Sequence, residues 1–205
     1  MNGRLRLWWR RLRRDDRAAQ IVEFAVALPL LVVFVVGIFD FSGAFTLKQK
    51  LTNAARDAAR AAAADPISDL SAALPVSVND AFYTIDTYLV ANKINDCGIT
   101  PGGSVTVTGP PIWKFVASGT SGCPSTGLTI IVNRGYYFPA TATAQPAGVN
   151  CIHQTVTISE TAVIATCVSI QYGYQWKFSR AASLLGSAPL LPPTLSAVAV
   201  AMNEN

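Results

Sequence analysis

The strongest pattern in the chain is a run of apolar side chains from Phe24 to Phe39 that contains no polar side chain. Polar residues stay rare as far as Leu47. As a helix, the stretch from Phe24 to Leu47 is about 36 Å long, which is enough to cross a bilayer. The pattern therefore predicts a membrane-spanning helix near the beginning of the sequence.

The helical pattern continues beyond this run and meets its first breaker at Pro66. Leucine and alanine fall at helical spacing on one face, at Leu47, Leu51, Ala54, Ala55, Ala58 and Ala62. We therefore predict one helix over residues 21–64, with a bend at Pro29. The small-residue face needs a packing partner, either the globular part of this chain or neighbouring subunits.

A second helical repeat covers residues 79–94, where Asn79 is the expected N-cap. After Cys97 the pattern changes to alternating and β-branched segments. These predict strands at 104–108, 128–132, 155–159, 168–178 and 194–202. Residues 194–202 are apolar on both faces, which is typical of a central strand.

The segments between the strands contain turn and loop signals. Asn133-Arg134-Gly135 is expected to be a turn that ends a strand. Residues 98–127 and 139–150 are rich in Gly, Pro and Ser and are expected to be loops. Residues 179–186 predict a short helix.

These elements predict an α+β protein. A single N-terminal transmembrane helix continues into a long extracytoplasmic helix and is followed by a small antiparallel β-sheet head with one additional helix. The expected parts are a basic cytoplasmic leader over 1–20, the long helix over 21–64 and an extracytoplasmic head over 65–205.

The charge of the chain is concentrated in the leader. Residues 1–20 hold seven arginines and two aspartates, a net charge of +5, whereas the remainder has a net charge of −1. Positive charge directly before a membrane span marks the cytoplasmic side. We therefore expect a single-pass membrane protein with its N-terminus in the cytoplasm and its head outside, and no binding of nucleic acid.

Four cysteines follow the apolar run, and an exported head favours two disulfides. If a hairpin is centred on Ser159, Cys151 lies opposite Cys167, which leaves Cys97 to pair with Cys123. Free buried thiols are the alternative, especially for a head that faces the cytoplasm. The cysteines lack the close spacing of a zinc site.

Candidate chemistry in the head is sparse. The only histidine, His153, has no catalytic motif around it, and the loop TSGCPSTG lacks the lysine of a phosphate-binding loop. We therefore expect no enzyme activity, no catalytic or metal-binding residues and no cofactor.

Two carboxylates interrupt the apolar helix, Glu23 near its start and Asp40 near its outer end. Ionisable groups inside a membrane usually have a partner. Each residue taken alone also fits a simpler interpretation, in which Glu23 lies at the cytoplasmic edge near Arg17 and Asp40 at the outer edge near Lys48.

Four motifs together resemble one known family. Val22-Glu23-Phe24-Ala25, Leu28-Pro29-Leu30-Leu31, a Gly-Ile-Phe-Asp-Phe element over 37–41 and an Asn-Ala-Ala-Arg repeat over 53–60 are similar to the TadE-like family. Members of this family are minor pseudopilins of the Flp/Tad (tight adherence) pilus with a type IV pilin-like N-terminus. The resemblance covers about residues 20–64.

The resemblance implies a site and partners. A prepilin peptidase would cut between Ala18 and Ala19, although the family more often has glycine where this chain has Ala18. Glu23 would become the fifth residue and pair with the new α-amino group of a neighbouring subunit. Glu23, Pro29 and Asp40 would then be residues of assembly and helix packing. The implied location is the bacterial inner membrane. The implied partners are the lipid bilayer, other pilin-like subunits, the pilus assembly machinery and the peptidase.

The main alternative is a secreted or signal-anchored extracytoplasmic binding module unrelated to pili. Ser42-Gly43-Ala44 has the small residues that signal peptidase prefers, so a cut after Ala44 is the competing prediction. The mature N-terminal residue distinguishes the two interpretations.

Overall fold

The structure is a computed structural model. It describes residues 16–66, 68, 70–99, 105–109, 111–117, 122–124, 126–139, 151, 162–177 and 191–204. The chain forms two compact units, one of residues 1–43 and 176–191 and the other of residues 44–175 and 192–205. We call the second unit the head unit.

Helix α1 spans Asp16–Ala64 and begins five residues earlier than the apolar pattern predicts. Pro29 lies inside it without ending it. The predicted end at Ala64 is confirmed, because Pro66 cannot continue the backbone hydrogen bonding. The alanine-rich second half suits a helix because alanine loses little conformational entropy there.

Helix α2 spans Val76–Ala91. It confirms the predicted second helix, but it begins and ends earlier than the predicted range 79–94. Asn79 is not the N-cap: Pro75 holds that position, and its carbonyl accepts bonds from the N–H groups of Val78 and Asn79 at 3.1 and 3.0 Å. The helix ends before residue 94 because the next residues turn, and Lys93 has a positive φ of 58°.

Five antiparallel strands form one sheet in the order β1-β2-β3-β4-β5 among the described residues. Their bounds are Val105–Gly109, Ile112–Ala117, Leu128–Pro139, Ala162–Gly173 and Thr194–Met202. The predicted α+β class is therefore confirmed. Strand β2 lies within residues 98–127, which we expected to be a loop, because the alternating run Ile-Trp-Lys-Phe-Val-Ala outweighs the surrounding glycines and prolines.

Strands β4 and β5 differ from their predictions. Strand β4 begins at Ala162, before the expected start at residue 168, and ends at Gly173 instead of 178. Strand β5 has the predicted bounds but lies at an edge of the sheet that the described strands form. It is apolar on both sides because both faces of the sheet are covered at this edge. The predicted strand 155–159 and helix 179–186 lie outside the described residues.

The predicted turn at Asn133-Arg134-Gly135 is wrong, because these residues lie inside β3. Asn133 pairs with Cys167, and the next pair is Tyr136 with Ala165, so β3 has one extra residue there. Such a β-bulge bends a strand without ending it. The residues whose types favour a turn therefore form a bulge in the middle of a long strand.

One face of the sheet forms the main core with the helices. Its middle row is buried and consists of Phe115, Ile130, Ile170 and Ala197. Phe82 of α2 packs on Phe115 with ring centroids 5.9 Å apart. On the same face, Trp113 donates its indole N–H to the carbonyl oxygen of Ala73 at 3.1 Å.

The opposite face carries a smaller buried cluster. Its members are Ile131, Tyr136, Cys151, Ala165 and Cys167. Val198 and Val200 of β5 pack against it. This second layer explains why Ser169 is 1% exposed, although it belongs to the polar side of the alternation in β4.

Candidate functional site

The first part of α1 exposes large apolar side chains to an unusual degree. Ile21, Phe24, Phe34 and Phe39 are 64–75% exposed. Within the described residues, one helix segment, Ala19–Ala64, is long and apolar enough to cross a membrane. Contiguous apolar surface of this size requires lipid or a protein partner.

Glu23 lies on this exposed apolar surface and is itself exposed. Because α1 begins at Asp16, Glu23 is two turns inside the helix. The favourable effect of the helix dipole is confined to the first turn. In the uncut chain the dipole therefore gives Glu23 no stabilisation, whereas a cut after Ala18 would place it at the helix start.

Asp40 has a different environment, since it is only 6% exposed. It lies on one stripe of α1 with the buried Gly37 and the half-buried Val33 and Val36. In the same unit, the rings of Phe41 and Trp176 lie 5.2 Å apart between centroids. Asp40 is thus buried on one stripe of α1, whereas the simpler interpretation places it at the outer edge of the membrane-spanning segment.

Helix α1 also contains the other predicted site residues, which are Ala18 and Ala19 at the cut and Pro29 at the bend. Ala19 and Pro29 are exposed. The predicted cut therefore falls in a helical stretch of the uncut chain.

The small-residue face of α1 is buried in the head unit. Its fully buried members are Leu51, Ala54, Ala55, Ala58 and Ala62, and Leu47 is half-buried. This face therefore packs against the globular part of the same chain, one of the two partners that the sequence predicts for it. The opposite side of the helix is exposed at Asn53, Arg56 and Arg60.

A buried arginine holds the C-terminal end of this helix. Arg134 is 0% exposed. Its guanidinium donates to the carbonyl oxygens of Ala62, of Asp65 at 2.7 Å and of Pro66 at 3.4 Å. The last carbonyls of a helix lack intrahelical donors and carry partial negative charge, so a cation with several N–H groups suits this position.

Two further side chains complete this arrangement. The Nη1 atom of Arg134 donates to Thr166 Oγ1 at 2.8 Å and to Asn203 Oδ1 at 3.3 Å. Thr166 donates to the same Asn203 oxygen at 2.6 Å, and Asn203 Nδ2 donates to the carbonyl oxygen of Arg134 at 3.2 Å. We call Arg134, Thr166 and Asn203 the helix clamp.

Sequence reasoning missed the helix clamp because Arg134 was assigned to a turn. One signal was present: Arg134 is the single charged residue of segment 130–138, in which the other side chains are apolar or aromatic except for Asn133. A long apolar strand rarely carries such a charge without a buried partner.

Disulfides join Cys97 to Cys123 and Cys151 to Cys167. These are the pairs favoured above, but the local geometry differs from the expected hairpin. Cys167 already has Asn133 of β3 and Val200 of β5 as its neighbours in the sheet, so Cys151 meets it from one face. The expected hairpin centre, Ser159, lies outside the described residues.

In the described part of the head unit, one carboxyl and two tyrosine hydroxyls have raised pKa values. Burial, a hydrogen bond with Asp96 and repulsion by its charge raise the pKa of the Asp86 carboxyl. Burial and the charge of Asp96 also raise the pKa of the Tyr172 hydroxyl, which donates to the carbonyl oxygen of Asn95 at 3.0 Å. Burial alone raises the pKa of Tyr136.

No group of three or more side chains suited to a metal ion occurs among the described residues. His153 lies outside them. The described part of the head unit therefore supplies packing, two disulfides and the helix clamp.

These features define a class of protein in which a long N-terminal apolar helix of the membrane-anchor type continues into an α+β head. The family model described as TadE-like protein matches residues 18–60, the part of α1 that carries the four motifs. This match confirms the family resemblance predicted from the sequence, and it indicates a function related to Flp/Tad pili. No curated protein and no solved structure was found to match the chain.

Proposed function

We propose that this protein is a membrane-anchored minor pilin or pseudopilin that takes part in the assembly or structure of a Flp/Tad-type pilus, and through it in surface attachment. The observation that carries the proposal is the TadE-like match over residues 18–60. The exposed apolar side chains of the same segment support it, because they supply a surface for lipid and neighbouring helices.

The proposed orientation follows from charge and cysteine chemistry. The leader over 1–20, with its net charge of +5, stays in the cytoplasm. The helix over 21–64 crosses the membrane and continues outside, and the head over 65–205 is extracytoplasmic. Two disulfides suit an oxidising compartment. No catalytic step or cofactor belongs to this proposal.

Glu23 is the proposed assembly residue. After a prepilin peptidase cuts between Ala18 and Ala19, the Glu23 carboxylate pairs with the α-amino group of a neighbouring subunit. Pairing removes two charges from lipid contact, which favours the assembled form over separate subunits. Pro29 and Asp40 are proposed to shape and pack the same helix.

The test is a strain in which Glu23→Ala is the sole copy. We expect few or no pili by electron microscopy, with unchanged amounts of the protein in the membrane fraction. Glu23→Gln should behave in the same way, because it keeps the size of the side chain but not its charge. Gln20→Ala, on the same exposed segment, should leave piliation at the wild-type level.

Normal piliation in the Glu23→Ala strain would refute the role assigned to Glu23. Loss of pili in the Gln20→Ala strain as well would show that the segment tolerates no change, and the charge argument would fail.

A further inference from the structure

The bulge of β3 links two features that lie on opposite faces of the sheet. Asn133 and Arg134 are consecutive in β3, and Thr166 and Cys167 are consecutive in β4, with Asn133 directly opposite Cys167. Consecutive strand residues point to opposite faces. Arg134 and Thr166 therefore face the helices, while Asn133 and Cys167 face the smaller cluster.

On the helix side, these residues hold the end of α1. Arg134 bonds to the carbonyl oxygens of Ala62 and Asp65, and Thr166 accepts a bond from the same guanidinium. The helix clamp therefore depends on where the bulge places Arg134.

On the other side, the disulfide is tied to the same bulge. Asn133 Nδ2 donates to the carbonyl oxygen of Cys151 at 2.8 Å, and Cys151 is bonded to Cys167. Asn133 Oδ1 accepts the N–H of Gly135 at 3.0 Å. Asn133 thus joins the backbone of Cys151 to the backbone of Gly135, and Arg134 is the residue between Asn133 and Gly135.

All groups in this connection are buried. Cys151, Cys167 and Arg134 are 0% exposed, and Asn133 is 6% exposed. Well-packed interiors transmit small displacements because few voids absorb them. A displacement of Cys151 is therefore transmitted to Arg134 through the Asn133 side chain and the peptide unit that joins Asn133 to Arg134.

We propose that the Cys151–Cys167 disulfide acts as a redox-dependent support of the helix clamp, so that the head holds the end of α1 fully only in the oxidised chain. Oxidation joins the two sulfur atoms and releases two protons and two electrons, which a disulfide-bonded oxidant accepts as it is reduced to a dithiol. An exported subunit would thus acquire its firm helix end only after it reaches an oxidising compartment.

The other disulfide supplies a matched control. The Cys97–Cys123 bond closes a longer loop, 26 residues against 16, so its loss lowers overall stability at least as much in the chain-entropy account. Neither of its cysteines belongs to the bulge or to the helix clamp. A general loss of stability predicts equal local effects of the two bonds, whereas the connection from Cys151 through Asn133 to the helix clamp predicts different ones.

The experiment measures amide hydrogen exchange by mass spectrometry on the full chain in detergent micelles. The readout is the exchange rate of residues 58–64 relative to that of α2. For Cys151→Ser/Cys167→Ser, we expect this ratio to rise about tenfold, because the helix end frays when its cap loosens. For Cys97→Ser/Cys123→Ser, we expect no more than about a twofold change.

A third variant, Asn133→Ala, keeps both disulfides and removes only the connecting side chain. It should raise the same ratio, and it tests the proposal even where the cysteine variants do not fold. An unchanged ratio in Asn133→Ala, or an equal ratio in the two double-cysteine variants, would overturn the proposal. The outcome does not depend on a role in pili, because exchange is measured on the isolated protein.

Discussion

At the scale of single residues, Arg134 is a fully buried cation in the head unit. Removing a cation from water is costly, and a protein recovers that cost only when hydrogen bonds satisfy the buried group. Arg134 bonds to three backbone carbonyls and to Thr166 and Asn203. Its charge is also favourable at the negative end of the dipole of α1.

Replacing Arg134 by methionine should therefore destabilise the protein strongly. The variant leaves buried carbonyls without donors, and we expect a loss of about 3 kcal/mol in the free energy of unfolding. Urea denaturation of the full chain in detergent measures this. Arg56→Met, at an exposed position of α1, should change stability by less than about 0.5 kcal/mol. Equal effects of the two variants would contradict the assigned role of the helix clamp.

Asp86 gives a pH dependence at the same scale. Because its pKa is raised in the folded protein, the folded state binds a proton more readily than the unfolded chain. This contribution therefore stabilises the protein as pH falls through the raised pKa and is lost as pH rises through it.

We expect Asp86→Asn to be more stable than the wild type near pH 7. The difference should disappear below about pH 4, where the unfolded chain also holds the proton. Denaturation curves measured at several pH values test this. Asp80→Asn, an exposed neighbour in α2, is the control, and an equal gain in that variant would argue against the interaction with Asp96.

At the scale of elements, α1 combines two kinds of surface. Its first part exposes large apolar side chains, whereas its second part buries alanines against the head unit. Alanine allows close approach of the helix backbone, so a larger side chain has no space there.

Ala58→Leu should consequently destabilise the protein by about 1–3 kcal/mol, because the added atoms overpack a fully buried position. The same substitution at the exposed Ala91 of α2 should be nearly neutral. Urea denaturation of both variants measures the change in the free energy of unfolding. A neutral Ala58→Leu would mean that the face is less tightly packed than the structure shows.

The elements that sequence could predict are those with a strong local pattern. Periodicity predicted α1, α2 and the buried face of α1. The bulge at Asn133 could not be predicted, because the same residue types favour a turn and the strand is kept in place by its pairing with both β2 and β4. The edge position of β5 could not be predicted either, because covering of both sheet faces by distant residues makes this edge strand as apolar as a central one.

The same distinction applies to the candidate site. Glu23 and Asp40 were identifiable because each interrupts an apolar run. The burial of Asp40 could not be predicted, because helical spacing does not say which side of a helix is covered. Arg134 was missed because its acceptors lie 32 to 72 residues away along the chain.

At the scale of the whole molecule, the mature N-terminus tests the proposed processing. Sequencing of the protein extracted from membranes should begin at Ala19 if a prepilin peptidase cuts as proposed. A start at Phe45 would instead support the secreted binding module, since the head unit begins at Ala44. A start at Met1 or Asn2 would mean an uncut anchor and would remove the α-amino partner assigned to Glu23.

The helix clamp also imposes an order in time. Ala62 is synthesised 72 residues before Arg134, and Asn203 follows 69 residues later still. At roughly 5–20 residues per second, each interval lasts about 4–14 seconds. During both intervals the end of α1 lacks its complete cap. We therefore expect the nascent chain to be most accessible to proteases and chaperones before the last strand is synthesised.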